Sequence, residues 1–329
     1  MLPHQMVCLA QIPQATSDPL IDILSEPQNS SGLRDFGFGQ SCCTFGELLQ
    51  GMLPNGQDFL VTFPIHRYVK AKFYRGEDDM GLQVCPPHKT KALALADALL
   101  RRYQLPCTGL LEIESDIPES KGLASSSADL VAVARAITDH YHMHISDADL
   151  AHLLCQIEPT DAVMFGHCVA FHQNIGHLIA DLGPLPPMVI VAHDEGGSVD
   201  TVTHQKTHPG MGIAEREQYQ DLLQRIQRAV KHGDCDEIGH VTTMSSILNQ
   251  RFRPNKHLSL FIDICDQYGG LGIAVAHSGT YIGILLDASD IKLTDKRTAI
   301  EDALKANNLA PETFWSSSTT RRLPHTAKK

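Results

Sequence analysis

Apolar and polar residues alternate over residues 69–74 and again over 110–115, the period of half-buried strands. Residues 59–63 form a further short strand run, and 188–192 is an uninterrupted apolar run of strand length, as in a strand covered on both faces. Helical spacing appears over 91–103, over Leu130, Val131, Val133, Ala134 and Ile137, and over 147–157, where Ser146 supplies an N-cap. Residues 169–181 read as paired strands. Residues 213–232, 235–249 and 256–268 read as helices and 273–286 as a hairpin. The Gly- and Pro-rich stretch 183–187 is the natural boundary or hinge. The pattern predicts an α+β chain of two packed subdomains, 35–185 and 186–315. A flexible extension, 1–34, carries one apolar patch, Leu20 to Leu24, and a polar tail, 316–329, is expected to be disordered.

Between the strand at 110–115 and the helix through Leu130 the chain runs Pro118-Glu119-Ser120-Lys121-Gly122-Leu123-Ala124-Ser125-Ser126-Ser127-Ala128-Asp129. Small residues let the backbone approach a ligand, and successive N–H groups at a helix N-terminus make an anion site. Serine hydroxyls add donors for phosphate oxygens and acceptors toward a metal. The loop is neither a Walker loop, which closes on Gly-Lys-Ser/Thr, nor a Gly-x-Gly-x-x-Gly fingerprint. A Ser-capped helix is the bland alternative, but one serine suffices for a cap. Residues 121–127 are therefore a candidate phosphate-binding loop.

Composition narrows the function. The 329 residues are 43% hydrophobic, enough for one or two cores, and contain no apolar run of membrane-spanning length. The N-terminal residues lack the basic-then-apolar order of a secretory signal. Net charge of −11 disfavours a broad nucleic-acid surface. The nine cysteines show no Cys-x-x-Cys pair and sit among apolar neighbours, as thiols of a reducing compartment do, so a cytoplasmic location is expected and a zinc site is not. The run His140-Tyr141-His142-Met143-His144 reads as structural or surface, since helix C-termini favour histidine.

Segment 118–129 resembles the second motif of the GHMP kinases, the family of galactokinase, homoserine kinase, mevalonate kinase and phosphomevalonate kinase. Residues 273–283 resemble the family's third, glycine-containing motif, and Gly46-Glu47-Leu48-Leu49-Gln50-Gly51 resembles its first. With Glu158-Pro159-Thr160-Asp161 and Ala276-His277-Ser278-Gly279, in that order, the pattern looks like the branch that phosphorylates L-threonine for cobalamin side-chain synthesis. The likeness runs from about residue 42 to about 287. One departure is Cys42-Cys43-Thr44-Phe45, where the family usually has Pro-Gly-Ser-Cys; it bears on the substrate pocket more than on the ATP site.

The resemblance implies a ribosomal-protein-S5-like N-terminal fold, a ferredoxin-like C-terminal fold and an active site between them, with ATP and Mg²⁺ as cofactors. It implies that Ser126 Oγ is the protein hydroxyl on the metal. Glu158, ending a helix, can reach back to the same ion. Asp161, beyond the helix-breaking Pro159, is the choice for the base that takes the hydroxyl proton. Glu47, Thr160, His277, Ser278 and Gly279 are candidate substrate contacts, and Arg67 or Arg251 could hold a substrate carboxylate. The expected protein is a small-molecule kinase, a monomer or homodimer without nucleic-acid or membrane partners, acting on L-threonine. Its alternatives are a kinase of serine, homoserine or another small alcohol, and a catalytically silent nucleotide sensor.

Overall fold

Two long antiparallel strands, β1 (Gly37–Met52) and β2 (Asp58–Arg75), form the spine of the first sheet. The computed structural model describes residues 35–77, 80–197, 210–252, 254–276 and 279–317. The extension 1–34, His277, Ser278 and Arg321-Arg322 lie outside them. Contacts along the chain separate Met1–Asp35 from Phe36–Lys329, and the description below is of the latter unit.

β1 runs along one edge of β2. On the other edge, β4 (Gly109–Ser115) pairs with the C-terminal half of β2, and β5 (Cys168–His172) pairs with Leu60 and Val61. Strand β3 (Leu82–Cys85) lies parallel to β4 through the crossover helix α1 (Thr90–Arg102), and β6 (His177–Gly183) closes the far side on β5. Helix α2 (Ser125–His140) covers this sheet with a nearly all-buried surface, and α3 (Asp147–Cys155) begins at Ser146, whose hydroxyl accepts from the Asp149 N–H at 3.1 Å. A 3₁₀ turn, Val163–Phe165, leads into β5.

The separate strands expected at 59–63 and 69–74 are one strand. Pro64, between the two runs, sits inside β2 at a stretch that neither β4 nor β5 pairs, so its missing N–H removes no ladder bond to them. That gap is filled from the far end of the chain. Ile65 bridges Ser316, and the Ser317 N–H donates to the Pro64 carbonyl at 2.8 Å. Residues 316 and 317, expected to begin a disordered tail, are thus buried and paired; residues 318–329 lie outside the described residues.

The second sheet has the order β10-β7-β9-β8, antiparallel throughout, from β7 (Met188–Asp194), β8 (Gly272–Val275), β9 (Tyr281–Asp287) and β10 (Pro311–Trp315). Helices α4 (Ile213–His232), α5 (Cys235–Asn249), α6 (Leu258–Tyr268) and α7 (Leu293–Ala306) complete this half. The apolar run in β7 is covered on both faces. Val189 and Val191 pack with Phe261 and Ile264 of α6 and Ile300 and Leu304 of α7, whereas Ile190 and Ala192 join the core shared with the first sheet. Phe45, Tyr281 and Phe314 meet across the junction with ring centroids 5.3 to 6.0 Å apart. The two sheets share one core.

Candidate active site

Strand β4 empties into the loop at 116–124, and α2 starts at Ser125 with Ala124 in the left-handed region at φ +57°. Three distant segments converge on that loop. The Thr44 N–H of β1 donates to the Leu123 carbonyl at 3.3 Å, and the Thr280 N–H donates to the Lys121 carbonyl at 3.3 Å. Gly122, at φ +79°, lies against Gly279 so closely that a Cβ on Gly122 would stand 2.6 Å from the Gly279 Cα. The register slips of β1 against β2 fall between Cys42 and Leu49, where bulges re-aim the strand beside the loop.

A cavity of about 240 Å³ opens beside this junction. Its walls are the loop at 119–124 and first turn of α2, the first turn of α1 with residues 88–91, and Glu158, Pro159 and Asp161 beyond α3, with Leu60 and Gln173 contributing from β2 and the end of β5. Two helix N-termini therefore border one cavity, which favours an anionic occupant.

Inside it, Ser126 Oγ donates to Glu158 Oε1 at 2.5 Å, and Lys91 Nζ forms an ion pair with Glu158 Oε2. The Ser127 hydroxyl donates to Asp161 Oδ2 at 3.4 Å and accepts from the Asp161 N–H at 3.2 Å. Burial, then the neighbouring Glu158 charge, push the Asp161 carboxyl up to about 7, against the Ser127 bond. Lys89 is enclosed by Asp129 at 2.5 Å and Glu119 at 2.6 Å. Burial would lower its pKa, but the two carboxylates outweigh that and raise it. Asp129 is pushed up to about 6, chiefly by burial, and its Oδ1 has no hydrogen-bond partner.

The matching family model, GHMP kinases N terminal domain, covers residues 90–168, from α1 to the start of β5. The chain is 28% identical over 251 residues to an L-threonine kinase of Salmonella typhimurium, a match covering 74% of this chain and 80% of that relative. A GHMP kinase N-terminal domain thus spans residues 90–168, and the similarity to a GHMP-type kinase extends well beyond it. A homoserine kinase from Cytophaga hutchinsonii has the same fold, with a TM-score of 0.67 at 14% identity over 88% of this chain and 97% of that one. So has an L. major mevalonate kinase in complex with R-mevalonate, at a TM-score of 0.64 and 18% identity over 91% and 100%. The α+β, GHMP-kinase-like architecture is thereby established.

On that fold the expected site residues divide. Gly122, Ala124, Ser125, Ser126, Ser127, Glu158 and Asp161 all line the cavity. Lys121 and Leu123 enter the loop through their backbones, while their side chains go elsewhere. Leu123 is buried in the core, and the Lys121 ammonium is held by Asp194 Oδ2 at 2.7 Å and the Gly197 carbonyl at 2.8 Å. Glu47 is buried on β1 opposite Thr62, and Thr160 is buried with its N–H on the Gln173 carbonyl; neither lines the cavity. Gly279 backs the loop from behind. Arg67 reaches toward Glu312 at 3.9 Å and lies over the Phe314 ring, and Arg251 is paired with Glu215 at 2.6 Å; neither lines the cavity. The departure at 42–45 is mostly core: Cys43 and Phe45 are fully buried, and burial pushes the Cys42 thiol up to about 11. His140 of the histidine run packs edge-on against Phe73.

Sequence reasoning passed over His88, Lys89, Lys91, Glu119 and Asp129. Two lysines at the start of α1 were the available signal, because a cation at a helix N-terminus opposes the dipole and calls for a compensating anion. The oxygen donors Ser126 Oγ and Glu158 suit a hard divalent cation. Among the described residues no group of three or more His, Cys, Asp or Glu is placed to hold a metal ion.

Proposed function

We propose that this GHMP kinase transfers the γ-phosphoryl group of ATP to the side-chain hydroxyl of a small amino acid, with L-threonine the first candidate. What carries the reading is the placement of Ser126, Glu158 and Asp161 around one cavity at two helix N-termini. The L-threonine kinase relative, matched along most of both chains, supports the choice of acceptor.

In this reading the backbone N–H groups of residues 122–127 cradle the phosphates, and the α1 N-terminus adds positive potential. Ser126 Oγ and Glu158 would hold the Mg²⁺ that accompanies ATP, which would supply charge neutralisation to the transferring phosphate. Asp161 accepts the proton of the acceptor hydroxyl as the new O–P bond forms and the bond to the β-phosphate oxygen breaks, leaving ADP. Its raised pKa keeps it basic enough to take that proton near neutrality. A loose phosphoryl-transfer transition state needs mainly positioning and charge neutralisation, and fixed groups on two helices provide both.

The experiment is ADP release from ATP with L-threonine, L-serine, L-homoserine and mevalonate offered separately. Stimulation by threonine, with O-phosphothreonine as product, supports the reading; stimulation by another of these alcohols moves the acceptor within the same chemistry. ATP binding without turnover of any acceptor would support the silent nucleotide sensor instead, a reading that leaves the basic Asp161 without a purpose.

A further inference from the structure

Lys89 and Lys91 sit two residues apart at the start of α1, yet they are held in opposite ways. The Lys89 side chain is 8% exposed and gripped by two carboxylates, Asp129 and Glu119. The Lys91 side chain is 41% exposed and reaches into the cavity to one carboxylate, Glu158, which is 8% exposed. Lys89 is a fixed part of the wall. Lys91 is tethered at its tip alone.

Glu158 is occupied on both oxygens, by Ser126 Oγ on one and the Lys91 ammonium on the other. The ammonium therefore stands where a cation is expected when the site is loaded. The lining also carries four carboxylates, Glu119, Asp129, Glu158 and Asp161, against two lysines. A polyphosphate entering such a cavity needs a cation that can turn toward it.

We propose that Lys91 is a nucleotide-phosphate ligand that changes partner: it holds Glu158 in the empty site and turns to the terminal phosphate oxygens of a bound nucleoside di- or triphosphate. Its length and exposure allow the exchange, whereas Lys89 would have to abandon two buried carboxylates. The proposal rests on the reading of this cavity as the nucleotide site.

Calorimetric titration with ADP in the presence of EDTA isolates the lysine, because metal then contributes nothing. AMP, which lacks the terminal phosphate, is the control. Lys91→Met should weaken metal-free ADP binding by about tenfold or more, the usual worth of a charge-assisted phosphate hydrogen bond, while AMP binding stays unchanged. Lys91→Arg should retain most of the ADP affinity. Since Lys91→Met also leaves Glu158 unpaired and repulsive, the decisive comparison is made in the Glu158→Gln background. There, adding Lys91→Met should still cost about tenfold in ADP affinity. Equal ADP affinity of Glu158→Gln with and without Lys91→Met would overturn the proposal and leave Lys91 as a counter-ion of Glu158. If the wild-type protein bound neither ADP nor AMP, the nucleotide reading itself would fall, and the proposal with it.

Discussion

Asp161 is fastened to Ser127 at two points: its N–H donates to the Ser127 hydroxyl at 3.2 Å, and that hydroxyl donates back to its carboxylate at 3.4 Å. The carboxylate is thus fixed to the first turn of α2, beside the proposed phosphate cradle. Replacing it by Asn keeps the shape and removes the proposed base. Asp161→Asn should lower single-turnover rate by about 10²- to 10⁴-fold with ADP affinity little changed. Near-normal turnover in that variant would reassign the reaction to orientation alone.

The raised pKa of Asp161 sets the direction of the pH dependence. Below about 7 the group is protonated in the free enzyme, so kcat/KM should rise with pH and level off above that value, and Asp161→Asn should flatten the limb. Stability runs the other way. A carboxyl raised from 3.8 to about 7 by folding favours the folded state while protonated, and that contribution is lost as pH climbs through 7. Thermal melts should therefore show Asp161→Asn more stable than wild type at pH 8 and similar to it near pH 4. The slope between the two pKa values is at most about 1.4 kcal/mol per pH unit. Identical melts at pH 8 would mean that ionised Asp161 carries no folding cost.

Lys89 offers a different test. Lys89→Met strands Asp129, which is 5% exposed and already has one oxygen without a partner. Breaking one side of a buried pair costs about 3–5 kcal/mol, read as a lower Tm or denaturation midpoint. Adding Asp129→Asn should recover a large part of the loss, because the remaining group is then neutral. Equal destabilisation of the single and double variants would place the cost in packing.

At the back of the loop, a Cβ on Gly279 would stand 1.9 Å from the Lys121 carbonyl oxygen and 2.5 Å from the Gly122 Cα. Both neighbours are backbone, so the loop itself must shift. Gly279→Ala should abolish measurable ADP binding while leaving the far-UV CD spectrum of the folded chain. Gly212→Ala, at φ −70° with nothing nearer than 3.8 Å, is the matched control and should bind normally. Retained ADP affinity in Gly279→Ala would show the loop to be compliant.

The sequence was legible where function and backbone are written in one short segment. Ser125, Ser126 and Ser127 follow a strand and open a helix, so their place at the cavity could be anticipated, and Glu158 and Asp161 follow a helix end broken by Pro159. Lys89 and Lys91 were not legible in the same way. Their partners lie 40 and 67 residues away, and on a helical pattern they are only the polar start of α1. β1 escaped notice because its glycines, cysteines and near-continuous burial give no alternation to count. Helix α7 and strand β10 were missed altogether. Arg251 looked available as a carboxylate ligand until Glu215, on a separate helix, was seen to hold it.

The stitching of residues 316 and 317 into the gap beside Pro64 ties the segment that follows the second sheet into the first sheet like the buckle of a belt. Beneath it, Phe45, Tyr281 and Phe314 clasp the two sheets together. A cut at 183–187 would yield fragments that each lack a wall of the same chamber, the phosphate loop on one piece and Gly279 with Thr280 on the other. The candidate site and the folding unit are in this sense the same object, and whatever loosens the seam should be felt at both.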